Sequence, residues 1–221
     1  MRWLPQSVSL FLAAMLLSPL AGANVVFDSL SPACLNPQCV SANYNVSNST
    51  TPFWTSLAQS FSTSAGGSVG LSAVTLRLDR NEAAQSNESI NVMLFGDSST
   101  HPGSQISQLG TIDASSVMFD TFSDFVVSIQ NVSLNASTRY WIELSDPGFP
   151  NSSVAWDTNT DRTGPGVAGE SSFSPAGVTQ RFAFQMKVGV VEAAHSVPEP
   201  GSLLLVGAGI AALGFSTRKK A

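Results

Sequence analysis

The sequence predicts an all-β fold: an antiparallel β-sandwich of jelly-roll or immunoglobulin-like type, flanked by an N-terminal signal peptide and one short C-terminal transmembrane helix. Three observations predict it. Apolar residues recur at every second position in run after run, clusters of Gly, Pro, Asn, Asp and Ser separate the runs, and no long 3.6-residue period occurs between the two termini. Strands without helical crossovers bury their apolar faces against one another, which eight or nine strands in about 170 residues do as two packed sheets.

Residues 1–23, MRWLPQSVSLFLAAMLLSPLAGA, place Arg2 ahead of an apolar run over 8–17, a break at Pro19 and small residues at Ala21 and Ala23. That order is the pattern of a secretory signal removed after Ala23. The apolar run is far shorter than the roughly 20 residues that a membrane span needs. The expected organisation is an exported domain over 24–192, a linker over 193–201, a helix over 202–217 and a basic cytoplasmic end over 218–221.

Cys34 and Cys39, in CLNPQC, are the two cysteines of the chain. An oxidising compartment lets them close a small disulfide loop, with Asn36 and Pro37 supplying the turn. In the chain-entropy model such a loop contributes roughly 2 kcal/mol. A zinc reading needs two further ligands that no nearby His or Cys provides.

The alternating runs come next. VTLRLD directs Val74, Leu76 and Leu78 to one face, SINVMLF does so with Ile90, Val92 and Leu94, DFVVSI with Phe125, Val127 and Ile129, and RYWIEL with Tyr140, Ile142 and Leu144. RFAFQMKVGV puts Phe182, Phe184, Met186, Val188 and Val190 opposite a wet face of Arg181, Gln185 and Lys187. Shorter strands are expected over 57–63 and 153–158. The segments GDSSTHPGS, SDPGFPNSS and DRTGPGVAGESS read as loops.

Charge and residue counts exclude several functions. Between residues 24 and 200 six basic residues stand against fifteen acidic ones, a net near −9, so nucleic acid is not an expected partner. The two histidines, His101 in a Pro/Gly stretch and His195 in the linker, are too few for a Ser-His-acid triad or a multi-histidine metal site. No catalytic residue, cofactor or metal is assigned, and the body is expected to be non-enzymatic.

Two weaker patterns remain. Glu143 beside Trp141 and Asp157 beside Trp156 offer a carboxylate next to a ring on which a sugar stacks, but such rings more often fill a sandwich core while the acids face water. Asp157, Asn159 and Asp161 have the alternate spacing of a calcium loop. Arg162 stands where the sharp-turn glycine belongs and Ala168 where the bidentate glutamate belongs, so this is at most a weak cation loop and by default a turn. Six Asn-X-Ser/Thr triplets, at Asn45, Asn48, Asn87, Asn131, Asn135 and Asn151, read as polar turn chemistry.

The C-terminal stretch VPEPGSLLLVGAGIAALGFSTRKKA is the most specific feature. Its apolar run over 203–215 rises only about 20 Å, against a hydrocarbon core of roughly 30 Å, so it spans marginally. Arg218, Lys219 and Lys220 then form a stop-transfer cluster that stays inside. Val197, Pro198, Glu199, Pro200 and Gly201, followed by an apolar helix and a basic end, resemble the PEP-CTERM sorting signal of bacterial surface proteins. The resemblance implies exosortase as processing partner, transient residence in the inner membrane, and delivery to the cell surface or extracellular matrix. Pro198 and Pro200 fit that role by holding the motif extended and free of helix or ladder hydrogen bonds.

A second resemblance covers residues 57–190. AQSFSTSAGGSVGLSAVTLRL, INVMLFGDSSTHPGSQISQLGTI, LNASTRYWIELSDP and VAWDTN are similar to the choice-of-anchor R domain, a secreted β-domain paired with interchangeable C-terminal anchors. It implies no chemistry. The expected role is structural or adhesive, and the alternative is a carbohydrate-binding or polysaccharide-processing module with exopolysaccharide as partner.

Overall fold

Residues 24–30, 44–46, 56–81, 87–147, 152–160, 162–174 and 177–192 are described by a computed structural model. The expected signal peptide, Cys34 and Cys39, the linker with its PEP motif, the expected helix over 202–217 and the basic end lie outside the described residues.

Fourteen strands form among the described residues: β1 (Asn24–Asp28), β2 (Tyr44–Asn45), β3 (Leu57–Ser62), β4 (Val69–Arg80), β5 (Ser89–Ser98), β6 (His101–Asp113), β7 (Ser123–Leu134), β8 (Arg139–Ser145), β9 (Val154–Trp156), β10 (Thr158–Asn159), β11 (Ser172–Ser174), β12 (Gly177–Thr179), β13 (Ala183–Phe184) and β14 (Met186–Glu192). The helical element among them is a single 3-10 turn over Ala114–Ser116, capped by the Asp113 carboxylate. The chain is nearly all β, and its strands pair antiparallel in two six-stranded sheets and one two-stranded ribbon.

The first sheet runs β1-β14-β4-β9-β2, with β7 on the other edge of β4. The second runs β12-β11-β3-β8-β5-β6. Both contribute to one core: Val74, Leu76 and Leu78 of β4 and Met186 and Val188 of β14 are fully buried in the same cluster as Leu57, Phe61, Ile90, Val92, Leu94, Ile142 and Leu144 of the second sheet. Each such side chain stabilises by about 1.5–3 kcal/mol when fully buried. The apolar faces expected for these runs are the faces buried in this core.

Three expectations are corrected. Eight or nine strands were expected and fourteen form: two of the expected ones are each broken by a buried polar residue, 153–158 at Asp157 and 181–190 at Gln185, and β1, β2, β6, β11 and β12 form where no alternating run marked a strand. Gln185 belonged to the wet face by period, yet its exposure is 0%. GDSSTHPGS is not a loop but the tip of a hairpin, where Ser98 pairs with His101 across Ser99 and Thr100 and His101 opens β6. Ser99 takes the positive φ of 67° that this two-residue connection requires. Register irregularities along β5 and β6 explain why the thirteen residues of β6 show little period of two.

A loop over 162–171 crosses β1 on the side opposite β14. Asp28 N–H donates to the Pro165 carbonyl at 2.9 Å. A Cβ on Gly166 would lie 2.0 Å from the Val26 carbonyl oxygen, and φ there is +72°, so the loop reaches β1 only with glycine at this position. Arg162 holds the loop from within by donating to the carbonyls of Val167, Glu170 and Gln180.

Candidate functional site

The groups with chemical potential are buried carboxylates. Asp157 lies where β4 exchanges one neighbour for another: residues 69–76 pair with β14, and residues 78–80 pair with β9. Arg77 bridges the change, its N–H donating to the Gln185 carbonyl and its carbonyl accepting from Asp157 N–H, each at 3.1 Å. Gln185 N–H donates to the Asp157 carbonyl at 2.8 Å, and the Trp156 indole donates to the Gln185 carbonyl at 3.0 Å. Backbone groups that two strand breaks would strand are thereby paired.

Side chains extend the junction into a relay. The Gln185 amide donates to Asp157 Oδ2, Thr158 N–H donates to Oδ1 at 2.8 Å, and Arg77 donates to Gln185 Oε1 at 3.0 Å. Arg77 is forked by the half-exposed Asp124 at 2.8 and 3.1 Å. A buried acid is thus joined to a surface acid through an amide and a guanidinium. Burial pushes the Asp157 carboxyl up to about 6; Thr158 N–H and Arg77 oppose the rise, and Asp79 adds to it.

Glu143 lies on the outer face of the second sheet. In the register it stands between Ala58 of β3 and Met93 of β5. Ala58, Trp141, Phe173 and Phe95 form a small apolar cluster on that face. Burial raises the Glu143 carboxyl to about 7, against a hydrogen bond from Ser56. Trp141 is fully buried and donates its indole N–H to Asp97 at 2.8 Å.

Two further buried acids carried no sequence signal. Glu170 accepts from the hydroxyls of Ser60 and Ser62, each at 2.5 Å, and pairs with Arg139 at 3.2 Å. Glu88 accepts from Ser152 Oγ at 2.7 Å, Ser153 N–H at 2.6 Å and Ser153 Oγ at 2.9 Å. The serine partners lie between 64 and 110 residues away, so only the folded chain brings them together.

The sequence-predicted positions fall as follows. Trp156 is fully buried, stacked on Phe184 at 4.7 Å between centroids, so neither it nor Trp141 offers a face for a sugar. The expectation that the acids beside them face water is corrected: Asp157 is 3% exposed and Glu143 is half-buried, the first because both of its oxygens are fastened inside the strand junction. The two stand on different sheets. Asn159 is fully buried and donates to the Ser29 carbonyl at 3.3 Å, while Asp161 lies outside the described residues. Among the described residues no three His, Cys, Asp or Glu side chains come together as a metal site. His101 is exposed on β6. No described helix is long and apolar enough to cross a membrane.

Chemically, these carboxylates hold the fold. Serine hydroxyls, an arginine or backbone N–H groups already occupy them, and the burial that raises Asp157 and Glu143 also surrounds them with protein. The remaining site is contiguous in sequence: a family model described as the PEP-CTERM protein-sorting motif matches residues 196–220. No curated protein matches the chain. The chain therefore carries the sorting signal that marks an exported substrate of exosortase, and the matched segment, which includes Val197, Pro198, Glu199, Pro200 and Gly201, begins a few positions after the last strand.

Proposed function

We propose that this chain is a non-enzymatic component of the bacterial cell surface or extracellular matrix, delivered by its C-terminal signal after transient anchoring in the inner membrane, with a structural or adhesive role. The observation that carries the reading is the PEP-CTERM match over 196–220, directly behind a strand-built body. In this reading the body is a jelly-roll or immunoglobulin-like sandwich of the choice-of-anchor R kind. Arg218, Lys219 and Lys220 halt export, and exosortase acts at the extended prolines. Internal engagement of the buried carboxylates and burial of Trp141 and Trp156 support a body that presents surface rather than chemistry.

Fractionation of the native host tests the reading. The parent chain is expected at the surface or in the matrix, and Glu199→Ala with Pro200→Ala is expected to hold the protein in the inner membrane at full length. Identical distribution of the two overturns the sorting role. Titration of the purified chain against matrix polysaccharides is expected to give no saturable signal; saturable binding transfers the body to the carbohydrate-binding reading.

A further inference from the structure

Four side chains in a row lead from a buried carboxyl to the surface of the first sheet. Asp157 Oδ1 accepts from Thr158 N–H at 2.8 Å and Oδ2 accepts from the Gln185 amide. Gln185 Oε1 accepts from Arg77 at 3.0 Å, and Arg77 is forked on Asp124, its partner in the β4–β7 register. A primary amide carries its donors at one end and its acceptor at the other, whereas a guanidinium donates and never accepts. Turning NH2 to Asp157 therefore turns the carbonyl to Arg77. That orientation fits a charged Asp157, which accepts at both oxygens and donates at neither.

A proton on Asp157 reverses one of these contacts. Oδ1 already meets a backbone N–H that cannot turn away, so the proton goes to Oδ2, where O–H and the Gln185 NH2 group then meet as two donors. Rotating the amide end over end restores a hydrogen bond, with Oε1 accepting from Oδ2–H, but sets NH2 against Arg77. Arg77 then leaves Gln185 and keeps Asp124. Its side chain is 20% exposed, so water can accept from the N–H that Gln185 gives up. The strands need not part. The backbone bonds among Arg77, Asp157 and Gln185 use no ionisable group and hold all three residues in place in either state.

The surrounding charges leave Asp157 as the group that changes. On β4, Arg77 favours its charged form and Asp79 opposes it, the latter with Oδ1 fastened to Thr121 N–H at 2.8 Å. β7 contributes Asp124, held by Arg77. On β14, Lys187 pairs with Asp28 of β1 at 3.4 Å. β10 and β13, which pair with each other beyond the break, contain no titratable residue. Burial pushes the Asp157 carboxyl up to about 6, within reach of ordinary environmental acidity. We propose that Gln185 is a two-position amide switch, which reports the proton on buried Asp157 at the surface by making or releasing its hold on Arg77. This device is independent of the C-terminal signal.

Nuclear magnetic resonance of the full chain in detergent micelles tests it. The carbon-13 carboxyl signals of Asp157 and Asp124 and the nitrogen-15 signals of the Gln185 amide and Arg77 Nε are followed from about pH 8 to about pH 4.5. The Gln185 and Arg77 signals are expected to shift together, with the midpoint of the Asp157 carboxyl near 6 and not that of Asp124. Gln185→Met keeps an unbranched side chain but removes the amide, and the Arg77 shift at the Asp157 midpoint is expected to be lost while Asp157 still titrates. An Arg77 signal that stays still as Asp157 titrates, that follows Asp124 instead, or that still follows Asp157 in Gln185→Met overturns the switch. Where Gln185→Met does not fold, the parent decides: a scalar coupling across the Arg77–Gln185 hydrogen bond is expected at about pH 8 and lost at about pH 4.5, and its persistence at the lower pH overturns the proposal.

Discussion

Gln185 donates its side-chain amide to the carboxylate of Asp157 across the point where two strands break. Both residues are buried, both interrupt an otherwise regular run, and each is fastened to Arg77 through its own backbone. Removing the amide leaves the Asp157 carboxylate short of a donor and the Arg77 guanidinium short of an acceptor. Gln185→Ala is expected to lower unfolding free energy by about 1–3 kcal/mol in urea denaturation, the range for orphaning a buried polar group. Gln130→Ala, on an exposed position of β7, is expected to stay within about 0.5 kcal/mol.

Stability is expected to fall as pH rises. Asp157 and Glu143 titrate near 3.8 and 4.5 when unfolded and at about 6 and about 7 when folded. Through that window the folded chain binds more protons than the unfolded one, so their contribution is complete below about pH 4 and lost above about pH 7. Thermal melts at about pH 5 and pH 8 check this. Glu143→Gln is expected to raise the melting temperature at pH 8 and to change it little at pH 5; a larger gain at pH 5 contradicts the assignment.

The loop over β1 depends on Gly166. Replacement by Ala sets a Cβ against the Val26 carbonyl in a positive-φ conformation, and a loss of at least about 1 kcal/mol is expected. Gly177→Ala, with φ of +103° but nothing within 4 Å, separates backbone strain from collision and is expected to cost less.

Cys34 and Cys39 are expected to be bridged in the exported protein. Thiol labelling of denatured, unreduced chain should find no free sulfhydryl, and two labelled thiols contradict the pairing.

What the sequence made legible was local. Val74, Leu76 and Leu78 repeat with period two, and a strand buries one such face whatever lies opposite, so the β-class and most core residues followed. The PEP stretch, the apolar run and the basic end are contiguous, and the motif match covers the same segment. The break at Asp157 and Gln185 was hidden because its meaning depends on a partner 28 residues away. β6 was hidden because Ser104, Gln105, Ser107 and Gln108 show no apolar alternation, its place being set by backbone pairing with β5. Still longer separations in sequence concealed Glu88 and Glu170: a lone acid among serines carries no pattern until folding gathers the hydroxyls around it.

The central claim, that the C-terminal segment is a processed sorting signal, is tested most directly by the mass of the C-terminal peptide of the protein recovered from the surface or matrix of its host. The account predicts a chain that ends near Pro198, Glu199 or Pro200 and lacks residues 202–221. Recovery of a surface protein whose final peptide still carries Arg218, Lys219 and Lys220 would contradict it and make the segment a permanent anchor.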